Sequence, residues 1–332
     1  AAAELDNTRP IPGNNIRTTI DLQLQLFCEN LMNDKRGVIL VGDPLSGGVL
    51  AATSAPDYSP DFFTGLITES NWKNISTNPD KPLLNRYIQG TYIPGSIVKM
   101  ITQAALLEQD NFDKNNKHHC PGFYQFGDRI FGCWFTDGHG DLNLVEAISV
   151  SCDVYFYKTV TQLNLKNLYD TFNQFGFGSK TNIDIPNEAS GLVPDKGYMS
   201  KRYGKYGWSR GVLLNLAIGQ GELLVTPIQI LNYINLLSTK GRSPNSHFVF
   251  VDNLPQNVKP ELSSEIWNNI HDGLRSAIVS RNGTGKKSDP KFNDFLVYGK
   301  TGTAENPHGE NHAWFVGWAD YNKEKYSIVI LL

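Results

Sequence analysis

Cysteine is scarce in this chain: four among 332 residues, too few for a disulfide-built scaffold. Long apolar runs are missing as well. No stretch of about 18 apolar residues occurs, so no segment reads as a membrane-spanning helix. The opening Ala1-Ala2-Ala3-Glu4 lacks the basic region and apolar core of a signal peptide. An excess of positive charge is lacking too, and a net charge of −3 excludes a nucleic-acid binder held by bulk charge. There is no internal repeat and no low-complexity tract. What remains, 40% hydrophobic and 19% charged residues, is an ordinary globular composition with length for one large or two modest domains.

Strand-like and helix-like patterns are unevenly spread. Residues 4–16 read as an extended lead-in containing two prolines. "IDLQLQLFCENLMND" (20–34) has helical periodicity, with Leu24, Phe27, Cys28 and Leu31 on one face. "GVILVG" (37–42) and "GGVLAAT" (47–53), joined by the turn-former "DPLSG", predict a hairpin. A long middle region, about 94–290, is mostly helical patterning broken by Gly/Pro/Asn-rich loops. Strand patterning returns only in "DFLVYGK" (294–300), "HAWFVGWAD" (312–320) and "YSIVILL" (326–332). The simplest architecture is an α/β (α+β) domain: an antiparallel sheet from both chain ends with an inserted helical lobe. A cleft between sheet and lobe is a natural place for a site.

Three short segments carry candidate chemistry. In "YIPGSIVKM" (92–100), a helix begins near Ser96 and places Lys99 within reach of its hydroxyl. A serine hydroxyl needs an adjacent base to become a nucleophile, and a lysine serves only if its pKa is lowered. The helix start also offers backbone N–H groups to an oxyanion. Ser-x-x-Lys alone is weak, because it recurs at Ser70/Lys73 and Ser288/Lys291. "KTGTAE" (300–305) ends a strand-like run and holds the only Lys-Thr-Gly. Lys300 and Thr301 suit a carboxylate, Gly302 lets a ligand lie close, and the Thr303 N–H can serve an oxyanion. "SVSCDVYFYK" (149–158) has Ser151 and Asp153 flanking Cys152, which taken alone reads as a plain helix cap.

Taken in order, serine-x-x-lysine, serine-x-(Asn/Asp) and lysine-threonine-glycine resemble the signature of penicillin-binding proteins and serine β-lactamases. "NRYIQGTYIPGSIVKM", "SCDVYFY", "AIGQGELLVTPIQ" and "KTGTAE" with "HAWFVGWAD" resemble the elongation-type class B penicillin-binding proteins. The resemblance covers nearly the whole chain. It implies their transpeptidase fold and the cross-linking of peptidoglycan stem peptides through a serine acyl-enzyme that β-lactam antibiotics also form. It implies Ser96 as nucleophile, Lys99 as general base, and Ser151 and Asp153 as the proton-relaying second motif. Lys300 and Thr301 would hold the substrate carboxylate, and the Ser96 and Thr303 N–H groups would form the oxyanion hole. Asp153 stands where many relatives carry Asn. An ionised Asp153 favours a charged Lys99, whereas Lys300 opposes it.

The resemblance further implies work on the extracytoplasmic, periplasmic face of the inner membrane. Glycosyltransferase and elongation-complex membrane proteins would be partners. Residues 1–16 would trail from an N-terminal pedestal, 17–332 would form the transpeptidase domain, and the closing C-terminal helix would lie beyond Leu332. In that compartment the cluster around "HCPGFYQFGDRIFGCWFTDGHG" (119–140) has three readings. Cys120 and Cys133 form a disulfide, with Cys152 buried. Alternatively, all three are free and buried. In the third reading, Cys120, Cys133, His139 and Cys152 hold a structural zinc, with His119 and Asp137 as substitutes and the second catalytic motif pinned. Relatives of this type can carry a metal in this region. Cys28 is expected to be simply buried.

Other features point elsewhere. "RNGTGKK" (281–287) lacks the phosphate-loop pattern and reads as a flexible loop near the cleft. "KGYMSKRYGKYGWSR" (196–210) reads as a mobile loop beside the site, and Trp314 and Trp318 as packing. A class A β-lactamase needs Glu-x-x-x-Asn after the second motif, and "IPNEASGLVP" (185–194) has Glu188 without that Asn. A D,D-carboxypeptidase, a non-catalytic β-lactam sensor and a structural scaffold fit the motifs less well.

Overall fold

The computed structural model describes residues 11–205, 207–250, 260–292, 294–305 and 309–332. Helix α1 (Leu22–Leu31) leads into the hairpin β1 (Gly37–Gly42) and β2 (Val49–Ala55), and a surface segment follows with α2 (Glu69–Ser76). The lobe then contains α3 (Lys99–Leu107), the short strands β3 (His118–Cys120), β4 (Phe123–Phe126), β5 (Arg129–Gly132) and β6 (Gly140–Leu142), then α4 (Leu144–Ser149) and α5 (Asp153–Thr159). It continues through α6 (Leu165–Gln174), α7 (Lys196–Tyr203), α8 (Gly211–Ala217), α9 (Pro227–Ser238) and α10 (Ser264–Val279). The chain returns to the sheet as β7 (Phe295–Ala304), β8 (His312–Tyr321) and β9 (Glu324–Leu331).

The five strands run in the order β2-β1-β9-β8-β7, all neighbours antiparallel. The expected sheet from both chain ends is therefore present, with β9 paired on both sides and β7, among the described residues, on a free edge. Strand alternation divides the side chains between two cores. Val38, Leu40, Val329 and Leu331 face the lobe, whereas Ile39 and Val41 face α1. Helix α9 backs the sheet and is buried along its whole length. A Thr226/Gln229 capping box and Pro227 in its first turn fix where it starts.

Three expectations are corrected. Within α1, Cys28 is buried as expected, but Phe27 is 59% and Leu31 47% exposed; the helix touches β2 along a narrower stripe than its apolar periodicity predicts. Residues 118–142, within the middle region of mostly helical patterning, form two ribbons, β3 with β6 and β4 with β5. Segment 196–210, read as a loop, begins with α7, whose first N–H groups are capped by Asp195. Residues 1–10 of the expected lead-in and Tyr206 lie outside the described residues.

Candidate active site

Ser96 lies on a 3-10 turn, Gly95–Val98, that runs directly into α3. Gly95 precedes it with φ +60°, and a Cβ there would come 2.6 Å from the Thr303 carbonyl oxygen. Glycine thus satisfies both the left-handed backbone and the close approach of β7. One turn on, the Lys99 side chain is fully buried. Its amine donates to the Ser151 carbonyl at 2.8 Å, Ser151 Oγ at 3.3 Å and Asp153 Oδ1 at 2.8 Å. Three acceptors around one amine suit the ammonium form. The opposition between Asp153 and Lys300 is thus met with Lys99 ion-paired to Asp153.

The second motif sits on a hinge between two helices. The Ser151 N–H donates to the Ile148 carbonyl and the Cys152 N–H to the Ala147 carbonyl, closing α4 as a Schellman motif. That motif needs a left-handed residue, and Ser151 supplies it at φ +56°. Cys152 then caps α5, its Sγ accepting from the Tyr155 N–H. Asp153 is the first residue of α5. Ser151 and Asp153 are both buried, and the hinge turns both toward Lys99. The second carboxylate oxygen, Oδ2, accepts the Trp134 N–H at 3.0 Å.

The third motif lies on β7, at the free edge beside the Ser96 turn. A Cβ on Gly302 would come 2.8 Å from Ile97 Cγ2, so glycine lets the strand and the turn touch. Lys300 is fully buried, and its Nζ donates to the Thr301 carbonyl at 2.8 Å. Burial, and then the Lys99 charge, push the Lys300 pKa well below the lysine range, while Asp153 pulls the other way. Thr301 is half-buried and Thr303 exposed. The Thr303 carbonyl accepts the Gln220 carboxamide N–H at 3.5 Å.

The Cys/His cluster lies behind the second motif. The ligand atoms of Cys120, Cys133, His139 and Cys152 lie within 4.8 Å of one another. His139 Nδ1 is 3.7 Å from Cys120 Sγ and 3.5 Å from Cys133 Sγ. All four cysteines of the chain are free thiols, and all are buried. The Cys133 and Cys152 thiols act on each other, which holds Cys133 below the ordinary thiol range and Cys152 above it. His119 pairs with Asp141 on the surface and is not in the cluster; nor is Asp137. Cys133 and Trp134 connect the cluster to Asp153 in a single peptide step.

The remaining candidates fall into structural roles. Ser70/Lys73 lie on α2, which buries no residue. Ser288 ends a 3-10 turn and Lys291 follows at φ +59°. Glu188 is buried and accepts from the Thr181 N–H, the Thr181 hydroxyl and the Asn182 N–H, a loop brace. Loop 281–287 is tied to the second motif through the Thr284 N–H on the Ser149 carbonyl. Trp314 and Trp318 are buried. Sequence reasoning missed the Trp134 N–H and Gln220. The Gly-Gln-Gly triplet was the available signal for Gln220; a backbone donor leaves none.

The family model for the penicillin binding protein transpeptidase domain matches residues 37–332. The chain belongs to this family. It is 30% identical to the peptidoglycan D,D-transpeptidase MrdA of Haemophilus influenzae over 98% of the chain and 54% of that protein. The chain thus spans about half the length of that curated relative. Among solved structures, it is 35% identical to the penicillin-binding protein PBP2 of Helicobacter pylori, with a TM-score of 0.89 over 98% of the chain and 61% of that one. The same protein in complex with MreC matches at 35% identity and a TM-score of 0.88, over 95% of the chain and 59% of that one. The transpeptidase fold and the resemblance to elongation-type class B penicillin-binding proteins, both expected from the motifs, are borne out.

Proposed function

We propose that residues 17–332 are the catalytic domain of a peptidoglycan D,D-transpeptidase of cell-wall elongation. The observation that carries this reading is the buried Lys99 amine, bonded to Ser151 and Asp153 one turn from Ser96. Ser96 Oγ attacks the carbonyl of the D-Ala–D-Ala bond of a stem peptide. The C–N bond breaks and D-Ala leaves with a proton. An amine of a neighbouring strand then attacks the serine ester and forms the cross-link. Lys99, having first passed a proton to the paired Asp153 carboxylate, takes the Ser96 proton, and Ser151 Oγ relays it to the leaving amine. Lys300 and Thr301 hold the terminal carboxylate. Gly302 gives the strand its close approach, and the Ser96 and Thr303 N–H groups hold the oxyanion.

The cluster behind the second motif suits a structural zinc. Zinc bonds of about 2.3 Å to sulfur and about 2.0–2.1 Å to nitrogen, at tetrahedral angles, separate sulfur from nitrogen by about 3.6 Å. His139 Nδ1 lies 3.5 and 3.7 Å from two cysteine sulfurs. Cys120, Cys133, His139 and Cys152 would hold the ion, whose contribution is to fix the loop and not to enter the reaction. The full-length protein would be anchored in the inner membrane with its catalytic domain in the periplasm. Its partners would be a glycosyltransferase and other elongation-complex membrane proteins, in keeping with the MreC complex of the Helicobacter pylori relative.

Intact mass after incubation with benzylpenicillin tests the reading. A single persistent adduct is expected on the wild type and none on Ser96→Ala. Drug hydrolysed without an adduct would make the protein a β-lactamase instead. Intact drug without an adduct would overturn the site assignment.

A further inference from the structure

Resting on that acyl-transfer reading, we infer that Gln220 is a substrate-binding residue. Its carboxamide donates to the amide carbonyl next to the scissile bond of the acyl donor. The first support is rigid presentation. Gly219 and Gly221 are both left-handed, at φ +75° and +78°. The Gly95 N–H donates to the Gly219 carbonyl at 2.8 Å, and the Gln220 N–H to the Asn215 carbonyl at 2.9 Å. A Cβ on Gly219 would come 2.1 Å from the Gly95 carbonyl oxygen. The triplet is therefore locked against the residue that precedes the nucleophile, and Gln220 projects from it.

The second support is where the side chain ends. Gln220 Nε2 lies 3.5 Å from the Thr303 carbonyl, on the free edge of β7. An extended peptide that adds to such an edge pairs with its carbonyls and N–H groups. A bond of 3.5 Å is at the outer limit of hydrogen bonding, so an incoming N–H exchanges for it readily. The carboxamide has two N–H donors, and a small rotation keeps one for the ligand.

The third support is a donor that the second motif lacks. Asp153 has no N–H. Its two oxygens already accept from Lys99 Nζ and the Trp134 N–H. A carboxylate so engaged repels a substrate carbonyl where a carboxamide would bind it. Gln220 supplies a carboxamide beside the Thr303 carbonyl instead.

The test compares acylation by benzylpenicillin, which carries an acylamino carbonyl, with acylation by 6-aminopenicillanic acid, which lacks it. In Gln220→Ala and in the isosteric Gln220→Glu, the second-order rate for benzylpenicillin is expected to fall about tenfold relative to that for 6-aminopenicillanic acid. A ratio within about twofold of wild type, whether both rates fall or neither does, overturns the inference and leaves Gln220 a structural residue. Gln220→Glu supplies the readout should the alanine variant fail to fold. No adduct on the wild type with either compound would bring down the acyl-transfer reading itself, and this inference with it.

Discussion

Two residues of the site are held in states that an isolated residue avoids. Lys300 is fully buried, and its pKa is pushed down first by that burial and then by Lys99. A lysine held below its usual pKa binds its proton less readily folded than unfolded. Its charge therefore costs stability, most of all below the lowered pKa, and the cost fades as pH rises toward about 10.4. Lys300→Met is expected to raise Tm by about 2 °C or more at pH 7, a gap that closes toward pH 10, while benzylpenicillin acylation falls about a hundredfold. A variant that melts below wild type at pH 7, or a gap that widens with pH, would refute this account. Ser151 carries the other unfavourable state, its φ of +56°, worth about 1 kcal/mol for a non-glycine residue. Ser151→Gly and Ser151→Ala both delete the hydroxyl that Lys99 contacts, but only glycine relieves the backbone. Both are expected to lose acylation about tenfold or more, with the glycine variant melting above the alanine one. Equal melting temperatures would show that the backbone stores no such strain.

At the scale of elements, the site depends on how closely β7 and the Ser96 turn approach. Gly302→Ala would place a Cβ 2.8 Å from Ile97 Cγ2 and 3.3 Å from the Ile97 nitrogen. The turn has to shift, which is expected to cost about 1–3 kcal/mol and to slow acylation at least tenfold. Wild-type acylation in that variant would mean that the turn is free to move. Elements differ in how legibly the sequence announces them. β1 and β9 read clearly because Val38, Leu40, Val329 and Leu331 alternate with residues of the opposite face. Helix α1 reads correctly as a helix but not as to its contacts. Leu22, Leu26, Phe27 and Leu31 are all exposed, and periodicity does not say how wide a neighbouring surface is. The four short strands of residues 118–142 are three or four residues long, too short for alternation to show.

Across the whole molecule, the three motifs were legible because their order is fixed by residue type, yet their coupling was not. The Schellman hinge at Ser151 depends on two backbone hydrogen bonds, and the link from Trp134 to Asp153 on a backbone N–H. Neither leaves a residue-type signal. That link would couple the Cys/His cluster to the second motif. One zinc per chain is expected by elemental analysis of the purified protein. Stripping it with a chelator should lower Tm by about 5 °C or more and slow benzylpenicillin acylation, because the Trp134 N–H then no longer holds Asp153 against Lys99. Cys133→Ser should reproduce both effects with the metal lost. Cys28→Ser, in the separate core under α1, should keep the metal. Absent stoichiometric zinc, with thiols that titrate freely, the cluster would be ordinary core packing. Metal loss that lowers Tm but leaves acylation untouched would show that α4 and α5 hold the second motif without help from the loop.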